Sequence, residues 1–183
     1  MWKQYAMAVL ALGLWACGPE GVDGGVPEEE LGVTTAKLVA TASYDPALRL
    51  PRCSSVAEGC DSGSLVNGRG SVGPESNAPN TLMGSCADGT SGTYHVDESI
   101  DRVRVYTTDG SQLAPGKQVT IEVTVWAYSN YTSDFLDLYY TNDTEAPSWT
   151  HVATLTPTGA GLQTLRATHT LTGGAPLHAV RAA

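Results

Sequence analysis

From Gln118 to Trp126 the chain reads QVTIEVTVW, with Val119, Ile121, Val123 and Val125 on one face and Thr120, Glu122 and Thr124 on the other. A period of two sends successive side chains to opposite faces of a pleated strand, so this run predicts a strand with one buried and one solvated face. DRVRVY (101–106) likewise sets Arg102 and Arg104 against Val103 and Val105, and DFLDLYY (134–140) sets Leu136, Leu138 and Tyr140 against Phe135, Asp137 and Tyr139. QTLRATHTL (163–171) places Leu165, Ala167, His169 and Leu171 opposite Thr164, Arg166, Thr168 and Thr170. The intervening DGSQLAPGK, SNYTS, NDTEAPS and TPTGAG carry the Gly, Pro, Asn and Asp of turns. LVATASYD (38–45) can supply a further strand, whereas 45–100 is rich in Gly, Ser, Asn and Pro and reads as long loops. Short strands with an inner and an outer face predict an all-β protein, an antiparallel β-sandwich.

The N-terminus follows a different pattern. One basic residue, Lys3, precedes the apolar run YAMAVLALGLWA, and no acid occurs before Glu20. That is the outline of a signal peptide over 1–16, too short to span the hydrocarbon core of a membrane. Leu14-Trp15-Ala16-Cys17 resembles the bacterial lipobox, which makes Cys17 the expected lipidation site and the membrane, through that anchor, the expected partner. Gly18 resembles the residue that follows the cysteine in lipoproteins sorted to the outer membrane. Residues 17–37 carry Glu20, Asp23, Glu28, Glu29 and Glu30 against Lys37 and show no hydrophobic period, so they predict a disordered, charge-extended tether. Residues 38–183 are then the sandwich domain.

A formal net charge of −9 lacks the basic footprint that a phosphate backbone requires, so nucleic acid is excluded as an expected partner. Four cysteines in an oxidising compartment leave an odd number once Cys17 is lipidated. Cys53 and Cys60 enclose the short loop CSSVAEGC and are the expected disulfide, worth about 2.5 kcal/mol by loop entropy. Cys86, in GSCADGT, remains as the unpaired thiol, and its acidic neighbour does not lower a thiol pKa as a nucleophile would need.

The best cluster of hard oxygen atoms lies around HVDESIDR. Asp88, Asp97, Glu98 and Asp101 are the expected ligands if the chain binds Ca2+, although their spacing matches no EF-hand loop. His95 with Ser91 or Ser99 and a nearby Asp has the composition of a catalytic triad, yet no nucleophile elbow or zinc-protease motif accompanies it, and the expectation is a noncatalytic protein. His95, His151, His169 and His178 are dispersed, and His169, on an apolar strand face, is expected to be a satisfied core residue. Tyr128, Tyr131, Tyr139 and Trp149 lie on or beside loops, where aromatic rings can stack on sugar faces or simply pack at the rim of the sandwich.

GCDSGSLVNGRG, NAPNTLMGSCADGTSGTYHVDESIDRVRV, APGKQVTIEVTVWAYSNYTSDFLDLYY and SWTHVATLTPTGAGLQTLRATHTL, taken in order, resemble an accessory noncatalytic β-sandwich module of secreted bacterial proteases and other exoenzymes. The resemblance covers about residues 41–181. It implies a jelly-roll-like sandwich and a binding or accessory role toward a glycan or a cell-surface protein, with a calcium-binding or degenerate hydrolase domain as the alternative. It also implies a continuation beyond AVRA holding a further strand and a cysteine that would partner Cys86. The expected location is the bacterial envelope, as an outer-membrane lipoprotein, or the exterior.

Overall fold

In the computed structural model, residues 38–66, 82 and 95–183 are described. Ten strands follow in order: β1 (Val39–Thr41), β2 (Ser43–Asp45), β3 (Leu50–Arg52), β4 (Gly59–Asp61), β5 (Ser99–Thr107), β6 (Gln118–Ala127), β7 (Leu136–Thr141), β8 (Thr150–Leu155), β9 (Gly161–Thr170) and β10 (Ala179–Ala182). A five-stranded sheet has the order β1-β4-β5-β6-β9, a three-stranded sheet the order β10-β7-β8, and β2 and β3 form a separate ribbon. Pairing is antiparallel throughout except for β1 on β4.

The alternation read from the sequence sets the layers. Val119, Ile121 and Val123 of β6 are fully buried, and they meet Leu136, Leu138 and Tyr140 of β7 in one cluster with Leu165 and Leu171. Ile100, Val103 and Val105 of β5 and Val180 and Ala182 of β10 close the same core. Each such aliphatic side chain contributes about 1.5–3 kcal/mol when fully buried, which makes this sheet-on-sheet interface the main source of stability. The fold is an all-β sandwich.

Two expectations are refined. LVATASYD is divided at Ala42, whose N–H leaves for Asp61 O at 2.8 Å, so β1 joins the large sheet and β2 the ribbon. His169 does face the core, opposite Val119, but it is not satisfied: its Nε2 is buried with no hydrogen-bond partner.

Cys53 and Cys60 form the expected disulfide, with Cα atoms 5.8 Å apart. The bond ties the end of the β2–β3 ribbon to β4 of the large sheet. Cys17, the signal peptide, the tether, Cys86, Asp88 and Ser91 lie outside the described residues. Among the described residues no helix is long and apolar enough to cross a membrane.

Candidate functional site

Register places four charged side chains in one row across the outer face of the five-stranded sheet. Asp61 pairs with Arg104, Arg104 with Glu122, and Glu122 with Arg166. Opposite charges directly across a sheet attract, and here the row alternates in sign. Arg104 Nη1 donates to Glu122 Oε1 at 2.9 Å and Arg166 Nε to Glu122 Oε2 at 2.8 Å, while Arg104 lies 3.4 Å from Asp61. Arg102, one step along the same face, donates to both Asp61 oxygens, and the Tyr106 hydroxyl donates to Glu122 at 3.2 Å. Burial pushes both carboxyls up, but the hydrogen bonds and charge of Arg102 at Asp61, and of Arg166 and Arg104 at Glu122, outweigh it and leave both below the ordinary range.

One end of this face is built on a β-bulge. The register of β5 on β6 slips between Ile100 and Arg102, so Asp101 is the extra residue. A bulge re-aims a side chain that regular alternation would send inward. Asp101 accordingly accepts Ser99 Oγ at 2.8 Å and is bonded to His95 Nε2 at 2.7 Å. His95 has a backbone φ of +58°, a left-handed conformation uncommon for a residue with a Cβ, and its ring stacks on Trp126 at 4.4 Å. Nucleophilic catalysis needs the histidine between serine and carboxylate. Here the carboxylate stands in the middle, so Ser99 bonds Asp101 and is not presented to His95 as a base.

Of the expected calcium ligands, Asp97, Glu98 and Asp101 are among the described residues and Asp88 is not. Asp97 is half-buried, Glu98 exposed, and Asp101 buried and engaged by His95 and Ser99. Among the described residues no three His, Cys, Asp or Glu side chains converge as the ligands of a metal would.

The expected stacking residues divide into two groups. Tyr128 and Tyr131 sit in the β6–β7 connection, where a 3-10 turn spans Tyr131–Ser133 and the Tyr128 N–H donates to Asp134 at 3.0 Å. Tyr139 and Trp149 belong to the outer face of the three-stranded sheet. Val180 and Ala182 turn into the core, so Arg181 turns outward opposite Tyr139. Its guanidinium lies 4.0 Å from the centroid of the Trp149 ring. On the other side of Tyr139 stands His151, edge-on with ring centroids 5.4 Å apart. His151 is within 3.1 Å of Thr154 Oγ1, and that hydroxyl donates to Asp137. The Thr154 hydroxyl, and then His151, hold the Asp137 carboxyl below its ordinary range.

Sequence alternation already set Asp137 on the face of Tyr139, but it missed Arg181 and His151 as companions of the two rings and did not single out Trp126. Alternation on β10 would have found Arg181; nothing local to the sequence announces the Trp126 stack.

Between the sheets a third cluster centres on Tyr140. Its hydroxyl lies 3.0 Å from His178 Nδ1 and accepts the Thr172 N–H at 3.2 Å, and its ring lies 4.4 Å from that of His169. Burial pushes the His169 pKa down.

Compared with protein families, with curated proteins and with solved structures, the chain shows no match.

Proposed function

We propose that this protein is a noncatalytic binding module whose ligand is a glycan, received on the outer face of the three-stranded sheet. The observation that carries the reading is the Trp149 ring under the Arg181 guanidinium, with Tyr139 between Arg181 and His151 in register. Aromatic rings offer a flat apolar surface to the C–H face of a sugar, while flanking polar groups bond its hydroxyls. Asp137 supplies the acceptor, and Arg181 and His151 supply the donors. The noncatalytic part of the reading is supported by the hydrogen-bond order around Asp101, in which Ser99 donates to the carboxylate and not to His95.

The module is held at the surface of a bacterial cell by acyl chains on Cys17, with residues 17–37 as the spacer. Incorporation of labelled palmitate into the wild type and its loss in Cys17→Ser test the anchor. A glycan array tests the ligand. Binding should appear with the wild type and weaken at least tenfold, about 1.4 kcal/mol, in Trp149→Ala or Tyr139→Ala. An array without signal removes the glycan and leaves a protein partner for this face.

A further inference from the structure

Two Asn-x-Thr triplets lie among the described residues, Asn130-Tyr131-Thr132 and Asn142-Asp143-Thr144. The triplet is the acceptor signature of N-glycosylation, in which the transferring enzyme grips the Thr hydroxyl while the Asn carboxamide nitrogen attacks the sugar. A folded chain offers a triplet only where the backbone can leave its place and enter that enzyme's active site. Stretches with few buried contacts and local hydrogen bonds open at little free-energy cost, whereas packed ones open at a cost approaching that of unfolding. The two triplets differ on this point.

Asn130 belongs to the β6–β7 connection, whose base is pinned where the Tyr128 N–H donates to Asp134. Between those two residues no side chain is fully buried, and Asn130 and Thr132 are both exposed. The bonds of the Asn130 carboxamide are local: Nδ2 donates to Ser133 Oγ at 2.9 Å, and Oδ1 accepts from Thr132 Oγ1 at 3.3 Å. Water replaces such bonds as the loop opens, so little is lost. Asn142 is held differently. Its Nδ2 donates to Gly173 O at 2.6 Å and its carbonyl accepts the Ala175 N–H at 2.9 Å, both partners lying in the β9–β10 connection. Gly174 packs so closely that a Cβ there would stand 2.7 Å from Asn142 Nδ2. Thr144, the hydroxyl an enzyme would have to grip, is only 3% exposed. Presenting this triplet means detaching the β9–β10 connection and uncovering Thr144.

We propose that Asn130 is an N-glycosylation acceptor of the folded chain and that Asn142 is not. The donor is an oligosaccharide carried on a lipid pyrophosphate. Asn130 Nδ2 attacks the anomeric carbon and forms the new C–N bond as the bond from that carbon to the pyrophosphate oxygen breaks. The lipid pyrophosphate leaves with the electron pair, the nitrogen gives up one proton to a base of the enzyme, and nothing is oxidised or reduced. Such donors are displayed on the side of a membrane to which proteins are exported. The cellular setting therefore rests on the export reading above, while the acceptor property of the folded chain does not.

The test is transfer in vitro to the purified, folded full-length chain. The enzyme is a single-subunit oligosaccharyltransferase whose acceptor rule is Asn-x-Thr alone, the donor a lipid-pyrophosphate oligosaccharide, and the readout mass spectrometry of the digested product. Asn130 should be glycosylated at least tenfold faster than Asn142. Synthetic peptides spanning 126–136 and 138–148 should both be accepted, since each holds an intact triplet freed from the fold. Asn130→Gln and Thr132→Ala should each remove the modification of the loop, and Thr132→Ser, which keeps the hydroxyl, should retain it. The proposal is overturned if Asn130 of the folded chain stays unmodified, if Asn142 is modified as fast, or if the 138–148 peptide is refused, because the fold would then not be what separates the two. A silent glycan array or the absence of lipid on Cys17 would remove the readings above and leave this one standing.

Discussion

Arg104 and Glu122 are register partners across β5 and β6, and the guanidinium of one donates to the carboxylate of the other at 2.9 Å. Glu122 is the hub of the row, because Arg166 and Tyr106 bond its second oxygen. It is only 8% exposed although it points away from the core, its surface being covered by the side chains that bind it. Glu122→Gln keeps the shape and removes the charge between two arginines. Breaking such a hub costs more than an isolated surface pair, and we expect a loss on the order of 1–2 kcal/mol. Urea denaturation at neutral pH measures it, and Glu122→Gln combined with Arg166→Gln should lose less than the sum of the singles.

Asp61 and Glu122 both have folded-state pKa values below their ordinary ones. Unfolding therefore takes up protons in acid, so the stability the row contributes is present above about pH 4.5 and is lost as pH falls through the folded values. A stability profile between pH 7 and pH 3 should drop below about pH 4.5 in the wild type and less steeply in Glu122→Gln.

His169 titrates in a separate window. Burial depresses its pKa from 6.5, so the unfolded chain binds a proton that the folded one refuses. Its contribution is complete above about pH 6.5 and declines as pH falls toward the folded value. His169→Leu removes the unpartnered Nε2 and should flatten the profile just below about pH 6.5, leaving the carboxylate slope in place. Denaturation curves across that interval decide it; an unchanged slope contradicts the assignment.

Gly59 packs where no side chain fits. A Cβ there would lie 2.6 Å from Val105 O and 2.7 Å from Tyr106 Cβ on the neighbouring strand. Gly59→Ala should force β4 away from β5 at a cost of roughly 1–3 kcal/mol, read as a lower denaturation midpoint.

Replacing Cys53 and Cys60 together by Ser should lower stability by about 2.5 kcal/mol, and the loss should match that of the wild type under reducing conditions.

Where burial is one-sided over many residues, the sequence states the fold plainly. β6 and β9 each run ten residues with uninterrupted alternation, and every inward residue expected on β6 is buried. β8 was not legible because its register slips between Leu138 and Tyr139, so that Val152 and Leu155, which both pack on the core, stand three residues apart and break the period of two. The strands β1 to β4 hold three residues each, too few to show a period. The site was legible only by halves. Arg102 and Arg104 were visible as an outer face, but Asp61, 41 residues upstream of Arg102, is joined to it only by sheet pairing. Asp101 was noticed for its charge, whereas its role comes from a bulge that no composition predicts. Tyr139 and Trp149 were chosen for their rings, and it is Arg181 on β10 that relates them.

The covalent link between Cys53 and Cys60 encloses an exposed stretch in which Val56 keeps 68% of its surface open to solvent. An elastase cut after Val56 would sever the backbone without separating the pieces, since both flanks stay fastened through sulfur. Such a nick would be invisible on a gel run without thiol and would yield two bands only after reduction.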